Sequence, residues 1–338
     1  MPVLALNPRR LKAPWLATLA SLGVLAAALP AHAAPPLPAL NIDISQTSIS
    51  GISSGGFMTV QFQLAHSSIV KGVGVVAGGP FNCSKADVLR AVSSCSCTGE
   101  PSVPCAVSET STDVPALVAS TEEMAGKGLI DPTRNLAGQR ILTVAGARDT
   151  LVPPPIARQL SAYYTALGVP ASNLSPVSLP NAGHTMPTQN YGIACGLEKE
   201  PYIGKCAYDS AREILGWTYG KLAAAGSKPA GKFIQFDQRA YIPARSAGAF
   251  SWSTGLDTTG WAYVPNSCAK GEKCRVHIAL HGCKQGQSYL PLAVSIPFRN
   301  PNGCWDWWGY TGTDYATKNA VQIRTLRAMV DGLAAGAK

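Results

Sequence analysis

Stretches with the hydrophobic pattern of strands alternate with stretches of helical periodicity along this chain. Apolar, β-branched or alternating runs predict strands at residues 46–52, 70–77, 140–145, 174–179, 233–236, 260–264 and 275–280. Helical spacing predicts helices at about 57–66, 114–124, 156–167, 211–222 and 315–333. The alternation predicts an α/β fold, with a mostly parallel sheet flanked by helices.

The first 33 residues do not fit this pattern. A basic region at 9–12 precedes an apolar run at 13–29, and small residues follow at Ala31 and Ala33. This order predicts a signal peptide over residues 1–33. The alternative, a membrane anchor, is disfavoured because Pro14 and two hydroxyl side chains interrupt the apolar run. We therefore expect a secreted protein, extracellular or periplasmic, with one catalytic domain over 34–338 and no stable membrane insertion.

Composition narrows the class of protein further. Hydrophobic residues make up 46% of the 338 residues and charged residues only 14%, which excludes a disordered protein. The formal net charge is +9, but lysine and arginine form no dense cluster. The charge therefore gives little support to nucleic-acid binding.

All ten cysteines follow the predicted signal peptide, and an even number in an exported protein predicts disulfides. Sequence neighbours suggest two local pairs, Cys195 with Cys206 and Cys268 with Cys274. The alternative is metal binding around Cys95 and Cys97. It is disfavoured because one intervening residue is fewer than zinc sites use and histidine is scarce, so we expect no metal.

The sharpest chemical signal is the segment from Gly51 to Gly55, which matches G-x-S-x-G between a predicted strand and a predicted helix. This is the context of a nucleophile elbow, a tight turn that presents a serine hydroxyl, here that of Ser53. The alternative is an ordinary glycine-rich turn.

A serine nucleophile needs a base and a carboxylate that orients the base. Asp149 follows a buried strand, and His184 follows the next short strand. The order Ser53, Asp149, His184 is that of α/β-hydrolases, so we predict a triad of these residues. The alternatives are a loop-capping role for Asp149 and a solvated turn for His184.

The second donor of an oxyanion hole usually follows a strand that precedes the elbow. Here the nearest candidate segment, Leu280–Cys283, lies near the C-terminus. A circular permutation explains this position if the three C-terminal strands are the first strands of the sheet. The glycine-, serine- and proline-rich stretch at 225–231 is then the joint that the permutation created.

Five segments together resemble the secreted poly(3-hydroxybutyrate) depolymerases of the circularly permuted, single-domain type. These are α/β-hydrolases related to feruloyl and acetylxylan esterases. The matching segments are residues 51–56, 147–153, 181–184, 280–285 and 302–310. The resemblance implies that Ser53 is the nucleophile, His184 the base and Asp149 the orienting carboxylate. It also implies an oxyanion hole formed by the backbone N–H groups of Ser54 and Cys283, and a substrate crevice lined by Trp307.

The pattern of aromatic residues around Trp307 also supports a prediction that does not depend on the resemblance. Alternation in an extended segment places Trp305 and Trp307 on one side, where they would line an apolar crevice for a polyester. The alternative is core packing. We hypothesise that a disulfide between Cys283 and Cys304 holds the oxyanion segment beside these tryptophans.

One part of the family pattern is absent. Relatives carry a helix and a further strand between Gln287 and Asn302, and residues 288–301 are too few for both. Either this chain lacks that helix–strand unit or a shorter path replaces it, and we expect the missing strand to be a neighbour of the nucleophile strand.

The motifs and the resemblance together predict an exported serine esterase. It would hydrolyse poly(3-hydroxybutyrate) or its oligomers through an acyl-enzyme on Ser53, without a metal or organic cofactor. Two alternatives stay open: a feruloyl- or acetylxylan-type carboxylesterase, and a polymer-binding homologue whose catalysis is impaired by the shortened segment.

Overall fold

The computed structural model describes residues 34–224, 226, 229–243, 254–286 and 303–337. Three predicted features lie wholly or partly outside the described residues. These are the signal peptide at 1–33, the shortened segment at 288–301 and part of the permutation joint at 225–231.

The strands and helices alternate as the sequence predicts. The strands are β1 (Thr47–Ile52), β2 (Val70–Val76), β3 (Arg140–Gly146), β4 (Leu174–Leu179), β5 (Met186–Thr188), β6 (Ile193–Ala194), β7 (Ile203–Lys205), β8 (Gly231–Asp237), β9 (Thr259–Pro265) and β10 (His277–Leu280). The helices are α1 (Ser54–Ala65), α2 (Val88–Ser94), α3 (Val114–Gly126), α4 (Pro154–Ala166), α5 (Ser210–Tyr219), α6 (Asn266–Ala269) and α7 (Val321–Ala334). Short 3₁₀ turns cover Ile44–Gln46, Thr133–Gly138, Ala171–Asn173 and Gln238–Tyr241.

A parallel sheet of five strands, in the order β10-β1-β2-β3-β4, forms the centre of the fold. This arrangement confirms the predicted α/β class. The antiparallel pair β8–β9 and the small β5-β7-β6 sheet are separate from it.

The C-terminal strand β10 lies beside the nucleophile strand β1. The two pair in parallel from Ser48 opposite His277 to Gly51 opposite Leu280. This neighbourhood agrees with a permuted order of strands. It also shows that the expected place of the missing strand was wrong, because β10 and β2 occupy both sides of β1.

The main core lies where α1, α4 and α7 pack around the sheet. Every residue of α1 is buried, and its Phe62 shares one apolar cluster with Tyr163 of α4 and Ile323 of α7. The start predicted for α7 was wrong. Residues from Tyr315 to Ala320 form turns in which backbone bonds join Thr317 to Asp314 and Ala320 to Thr317, so the helix begins at Val321.

Among the helices in the described part of the chain, none combines the length and the apolar character needed to cross a bilayer.

Candidate active site

Ser53 occupies a sharp turn between β1 and α1. Its backbone has φ 57° and ψ −124°, a left-handed conformation that a non-glycine residue rarely adopts. A Cβ at Gly51 would lie 2.3 Å from the Gly55 carbonyl oxygen, and a Cβ at Gly55 would lie 2.4 Å from that of His281. Both flanking glycines are therefore required by close backbone approaches, as a nucleophile elbow demands.

Asp149 and His184 meet directly. The Nδ1 atom of His184 lies 2.9 Å from Oδ2 of Asp149, and both residues are buried. The other carboxylate oxygen, Oδ1, accepts hydrogen bonds from the backbone N–H groups of Leu151 (2.9 Å) and Val152 (2.7 Å). Because an ionised carboxylate only accepts, this contact matches a ring with its proton on Nδ1, and such a ring has Nε2 as its accepting nitrogen.

The three predicted triad residues lie at one edge of the sheet. Ser53 follows β1, Asp149 follows β3 and His184 follows β4. These strands run parallel, so their carboxyl ends share the edge at which α/β proteins bind ligands. Their roles as nucleophile, orienting carboxylate and base stay predictions.

The predicted oxyanion segment passes next to the elbow. A Cβ at Gly282 would lie 3.1 Å from Cβ of Ser53 and 3.2 Å from the Ile52 carbonyl oxygen. Cys283 therefore follows a residue in close contact with Ser53. Ser54 begins α1, in the first turn, where backbone N–H groups have no intrahelical partner. The two predicted donors lie on segments that flank the Ser53 side chain.

Five disulfides join the loops of the fold, and Cys268–Cys274 is the one that lies at the opposite end of the strands, before β10. The pairs are Cys83–Cys95, Cys97–Cys105, Cys195–Cys206, Cys268–Cys274 and Cys283–Cys304. The two predicted local pairs and the hypothesised Cys283–Cys304 bond are confirmed. Cys95 and Cys97 are both consumed by disulfides, so the alternative of a metal site built on their thiolates is wrong.

The two predicted substrate-binding tryptophans differ in burial. Trp305 has no exposed surface, packs in the main core and donates its backbone N–H to the Ser54 hydroxyl at 3.3 Å. A side chain without exposed surface cannot contact a polymer, so the prediction for Trp305 was wrong and core packing describes it. Trp307 keeps 7% of its surface exposed and stacks on Phe57, with ring centroids 4.8 Å apart.

Two buried polar side chains that sequence reasoning left without a role hold the site loops. Gln285 accepts a hydrogen bond from Gly282 N–H at 2.6 Å and donates to the Pro201 and Tyr202 carbonyls, both at 3.0 Å. Asp306 accepts from the backbone N–H groups of Gly309 (2.7 Å) and Tyr310 (3.0 Å). Gln285 and Asp306 lie inside two of the segments that resemble the depolymerase family, 280–285 and 302–310. That resemblance was the sequence feature from which a role could have been predicted.

A third polar residue without a predicted role, the half-buried Glu198, lies on the Cys195–Cys206 loop. Its carboxylate accepts hydrogen bonds from the backbone of both His184 and Thr150. No local sequence pattern marks it, because its partners are brought to it by the fold.

No family model matches the chain, but two related proteins carry the same kind of name. The chain is 37% identical over 330 residues to a poly(3-hydroxybutyrate) depolymerase of Delftia acidovorans, which covers 90% of this chain and 63% of that relative. It thus spans less than two thirds of the length of the Delftia protein. This chain is 31% identical over 364 residues to a polyhydroxybutyrate depolymerase of Talaromyces funiculosus. The match covers 96% of this chain and 98% of that relative.

Solved structures agree with these relatives. The crystal structure of PHB depolymerase from Penicillium funiculosum superposes with a TM-score of 0.75 at 31% identity, over 90% of this chain and all of that one. A PHB depolymerase with a serine-to-alanine substitution, complexed with an R3HB trimer, matches with the same TM-score and identity.

Proposed function

This chain belongs to the polyhydroxybutyrate depolymerase family of carboxylic-ester hydrolases, and on that premise we propose that it hydrolyses poly(3-hydroxybutyrate) or its oligomers through an acyl-enzyme on Ser53. The observation that carries the proposal is the buried His184–Asp149 hydrogen bond of 2.9 Å at the sheet edge where the Ser53 elbow lies. This pair supplies an oriented base beside a strained serine turn.

The first half of the reaction forms the acyl-enzyme. The Ser53 hydroxyl gives its proton to Nε2 of His184 while its oxygen attacks the ester carbonyl. Asp149 stabilises the imidazolium through Nδ1. The negative oxygen of the tetrahedral intermediate is held by the N–H groups of Ser54 and Cys283, and each such donor contributes a factor of roughly 10² to 10³ in rate.

Collapse of this intermediate completes the acyl-enzyme, because the hydroxyl end of the polyester leaves with the proton that His184 took from Ser53. The second half hydrolyses the acyl-enzyme. Water loses a proton to His184 and attacks the acyl-serine, and the acid is freed as His184 returns that proton to the Ser53 oxygen. No step needs an electron acceptor, metal or organic cofactor.

The substrate class is supported by the apolar contacts next to the elbow. Phe57, which is 3% exposed, lies in the first turn of α1, and Trp307, which is 7% exposed, stacks on it. The small surface that Trp307 retains is an apolar contact that suits the methyl-bearing repeat of a hydroxybutyrate polyester, and the R3HB trimer bound by a related depolymerase is such a chain.

The test is product analysis with two substrates. The purified protein is incubated with polyhydroxybutyrate granules and with a feruloylated polysaccharide, and the Ser53→Ala variant is the control. We expect hydroxybutyrate products that are lost in Ser53→Ala. Ferulate release without granule hydrolysis would contradict the substrate assignment, and activity retained by Ser53→Ala would contradict the mechanism.

Covalent labelling distinguishes this enzyme from the alternative, a polymer-binding homologue with impaired catalysis. An organophosphonate reacts covalently only with an activated serine. Labelling of the protein at Ser53 would support catalysis, whereas granule binding without labelling or hydrolysis would identify a binding protein.

The compartment is part of the same proposal. All ten cysteines form disulfides, which form and persist in oxidising compartments outside the cytoplasm. The protein therefore acts in the periplasm or outside the cell. Fractionation of cells that express the full chain tests this, and a reduced, cytoplasmic protein would contradict it.

A further inference from the structure

We propose that Glu198 is a positioning residue that holds the Asp149 loop and the His184 loop in register. The inference rests on the proposed function, because positioning matters only if Asp149 and His184 act together. The Asp149 loop and the His184 loop follow different strands, β3 and β4, so they are not held together by being adjacent in the chain.

One carboxylate reaches the backbone of both loops. Oε1 of Glu198 accepts hydrogen bonds from His184 N–H at 2.8 Å and from Thr150 N–H at 2.7 Å. Oε2 accepts from the Thr150 hydroxyl. Thr150 directly follows Asp149 in the chain. The carboxylate thus connects the residue after Asp149 with His184 itself.

Glu198 is held in place by its own loop. The disulfide Cys195–Cys206 closes this loop, and Gly183 N–H donates to the Cys195 carbonyl at 3.0 Å. A Cβ at Gly183 would lie 2.8 Å from Cγ of Glu198, so the backbone before His184 packs directly on the glutamate stem. The carboxylate is therefore a fixed support.

The same loop also reaches the His184 ring. Tyr202 contacts the imidazole edge-on, with ring centroids 6.1 Å apart, and its carbonyl accepts from Met186 N–H at 2.8 Å. Backbone on both sides of His184 is thus bonded to residues 195–206. Removal of Glu198 leaves the Tyr202 contact and the backbone bond from Arg148 N–H to the Ala182 carbonyl at 2.9 Å, but it releases the N–H groups of Thr150 and His184.

The energetic reason follows from the triad geometry. Hydrogen bonds to an ionised acceptor are stronger than neutral ones, and Glu198 makes three. Displacement of a reacting group by about 1 Å can cost a factor of about 10² in rate. Loss of the carboxylate should therefore slow the chemical step while substrate binding is unchanged.

The contacts also predict which substitution is tolerated. In Glu198→Gln the amide oxygen can accept both N–H groups, and the amide nitrogen can donate to the Thr150 hydroxyl, which also accepts. In Glu198→Ala all three bonds are lost. Glu200→Gln removes the same charge from an exposed position on the same loop and is the matched control.

The experiment measures kcat and KM for a soluble short-chain chromogenic ester, together with the rate of phosphonate labelling at Ser53. We expect Glu198→Ala to lower kcat and the labelling rate by about 10- to 100-fold, with KM unchanged within about twofold. Glu198→Gln and Glu200→Gln should both stay within about threefold of the parent protein. A lower melting temperature with unchanged kcat in Glu198→Ala would overturn the proposal, and so would equal loss in the Ala and Gln variants.

A proton NMR measurement separates this inference from the proposed function. The Nδ1 proton shared by His184 and Asp149 should give a low-field resonance in Ser53→Ala, whatever the substrate. We expect Glu198→Ala in that background to lose or shift the resonance. An unchanged resonance would overturn the positioning role, whereas a parent protein inactive on every ester and unreactive with the phosphonate would overturn only the proposed function.

Discussion

Oδ2 of Asp149 lies 2.9 Å from Nδ1 of His184, while Oδ1 of the same carboxylate accepts the backbone N–H groups of Leu151 and Val152. The two oxygens therefore have different and fixed tasks. One oxygen holds the loop after β3 in shape, and the other selects the protonated nitrogen of the imidazole.

This division predicts the effect of Asp149→Asn. The two backbone donors require an oxygen at the Oδ1 position, so the amide nitrogen must face His184 and donate to Nδ1. The proton then moves to Nε2, and the base is lost. We expect kcat for a chromogenic ester to fall roughly 10³- to 10⁴-fold.

The melting temperature is the control measurement for Asp149→Asn. Because the loop bonds to Leu151 and Val152 survive in Asp149→Asn, the melting temperature should change little. A kcat within tenfold of the parent protein would contradict the assignment of Asp149 as the orienting carboxylate.

The close approach of Gly282 to the elbow gives a second prediction. A methyl group at Gly282 would lie 3.1 Å from Cβ of Ser53 and 3.0 Å from Oε1 of Gln285. In Gly282→Ala these contacts require a shift of a few tenths of an ångström, which we expect to move the Cys283 N–H relative to Ser53. Loss of one oxyanion donor costs roughly 10²-fold or more in kcat. Steady-state kinetics with a soluble ester measure this effect.

Gly216→Ala provides the matched control for that substitution. Gly216 lies inside α5, where a Cβ would meet nothing within 4 Å. We expect unchanged kcat and a stability gain of about 1 kcal/mol, because alanine favours a helix over glycine. Equal kcat in Gly282→Ala and Gly216→Ala would count against the oxyanion role of the segment.

The features that sequence predicted depend on local pattern or on a general rule of parallel sheets. Strand and helix periodicity located β1, α1 and β3, and the shared carboxyl edge then brought Ser53, Asp149 and His184 together. The strained turn could be predicted because G-x-S-x-G stood between a predicted strand and a predicted helix, the context in which a nucleophile elbow requires both glycines.

The features that sequence missed depend on packing between distant segments. Alternation placed Trp305 beside Trp307, yet the segment is not a strand, and Trp305 turns into the core. The place of the missing strand depended on which strand pairs with β1, which only the register with β10 reveals. Glu198 has partners 14 and 48 residues away, and no short-range pattern encodes such contacts.

Trp307 yields a prediction about substrate length. Its indole stacks on Phe57 beside the elbow and retains a small exposed surface. If that surface contacts the chain beyond the scissile ester, Trp307→Ala should lower kcat/KM for a hydroxybutyrate trimer by about tenfold more than for a short-chain ester.

Trp217→Ala is the comparison for this effect. Trp217 lies on α5 under the guanidinium of Arg140 and packs against the same apolar cluster as Trp307, so its loss removes the same side chain from that cluster at the opposite end of β3 from the site. The ratio of trimer to short-ester kcat/KM should stay at the parent value in Trp217→Ala. The same ratio in both variants would show that Trp307 serves only the core.

His66 makes the stability of the fold sensitive to acid. The residue caps the C-terminus of α1, and its buried ring lies 5.2 Å from that of Phe62. Burial lowers the pKa of His66 to about 4, helped by the charges of Arg327 and Lys318 and opposed by those of Asp131 and Asp331. In the unfolded chain the pKa of histidine is about 6.5.

The sign of the effect follows from proton binding. Between pH 6.5 and pH 4 the unfolded chain binds a proton at His66 that the folded protein does not, so the free energy of unfolding must fall as the pH falls through this window. From pH 7 to pH 5 this residue should remove ~2 kcal/mol. Glutamine cannot be charged. In His66→Gln, the free energy of unfolding measured in urea should therefore fall by ~2 kcal/mol less between pH 7 and pH 5 than in the parent protein. Between pH 7 and pH 8 His66 is neutral in both states, and the two proteins should respond alike. Parallel pH dependence of the two proteins below pH 7 would show that His66 titrates normally in the folded state.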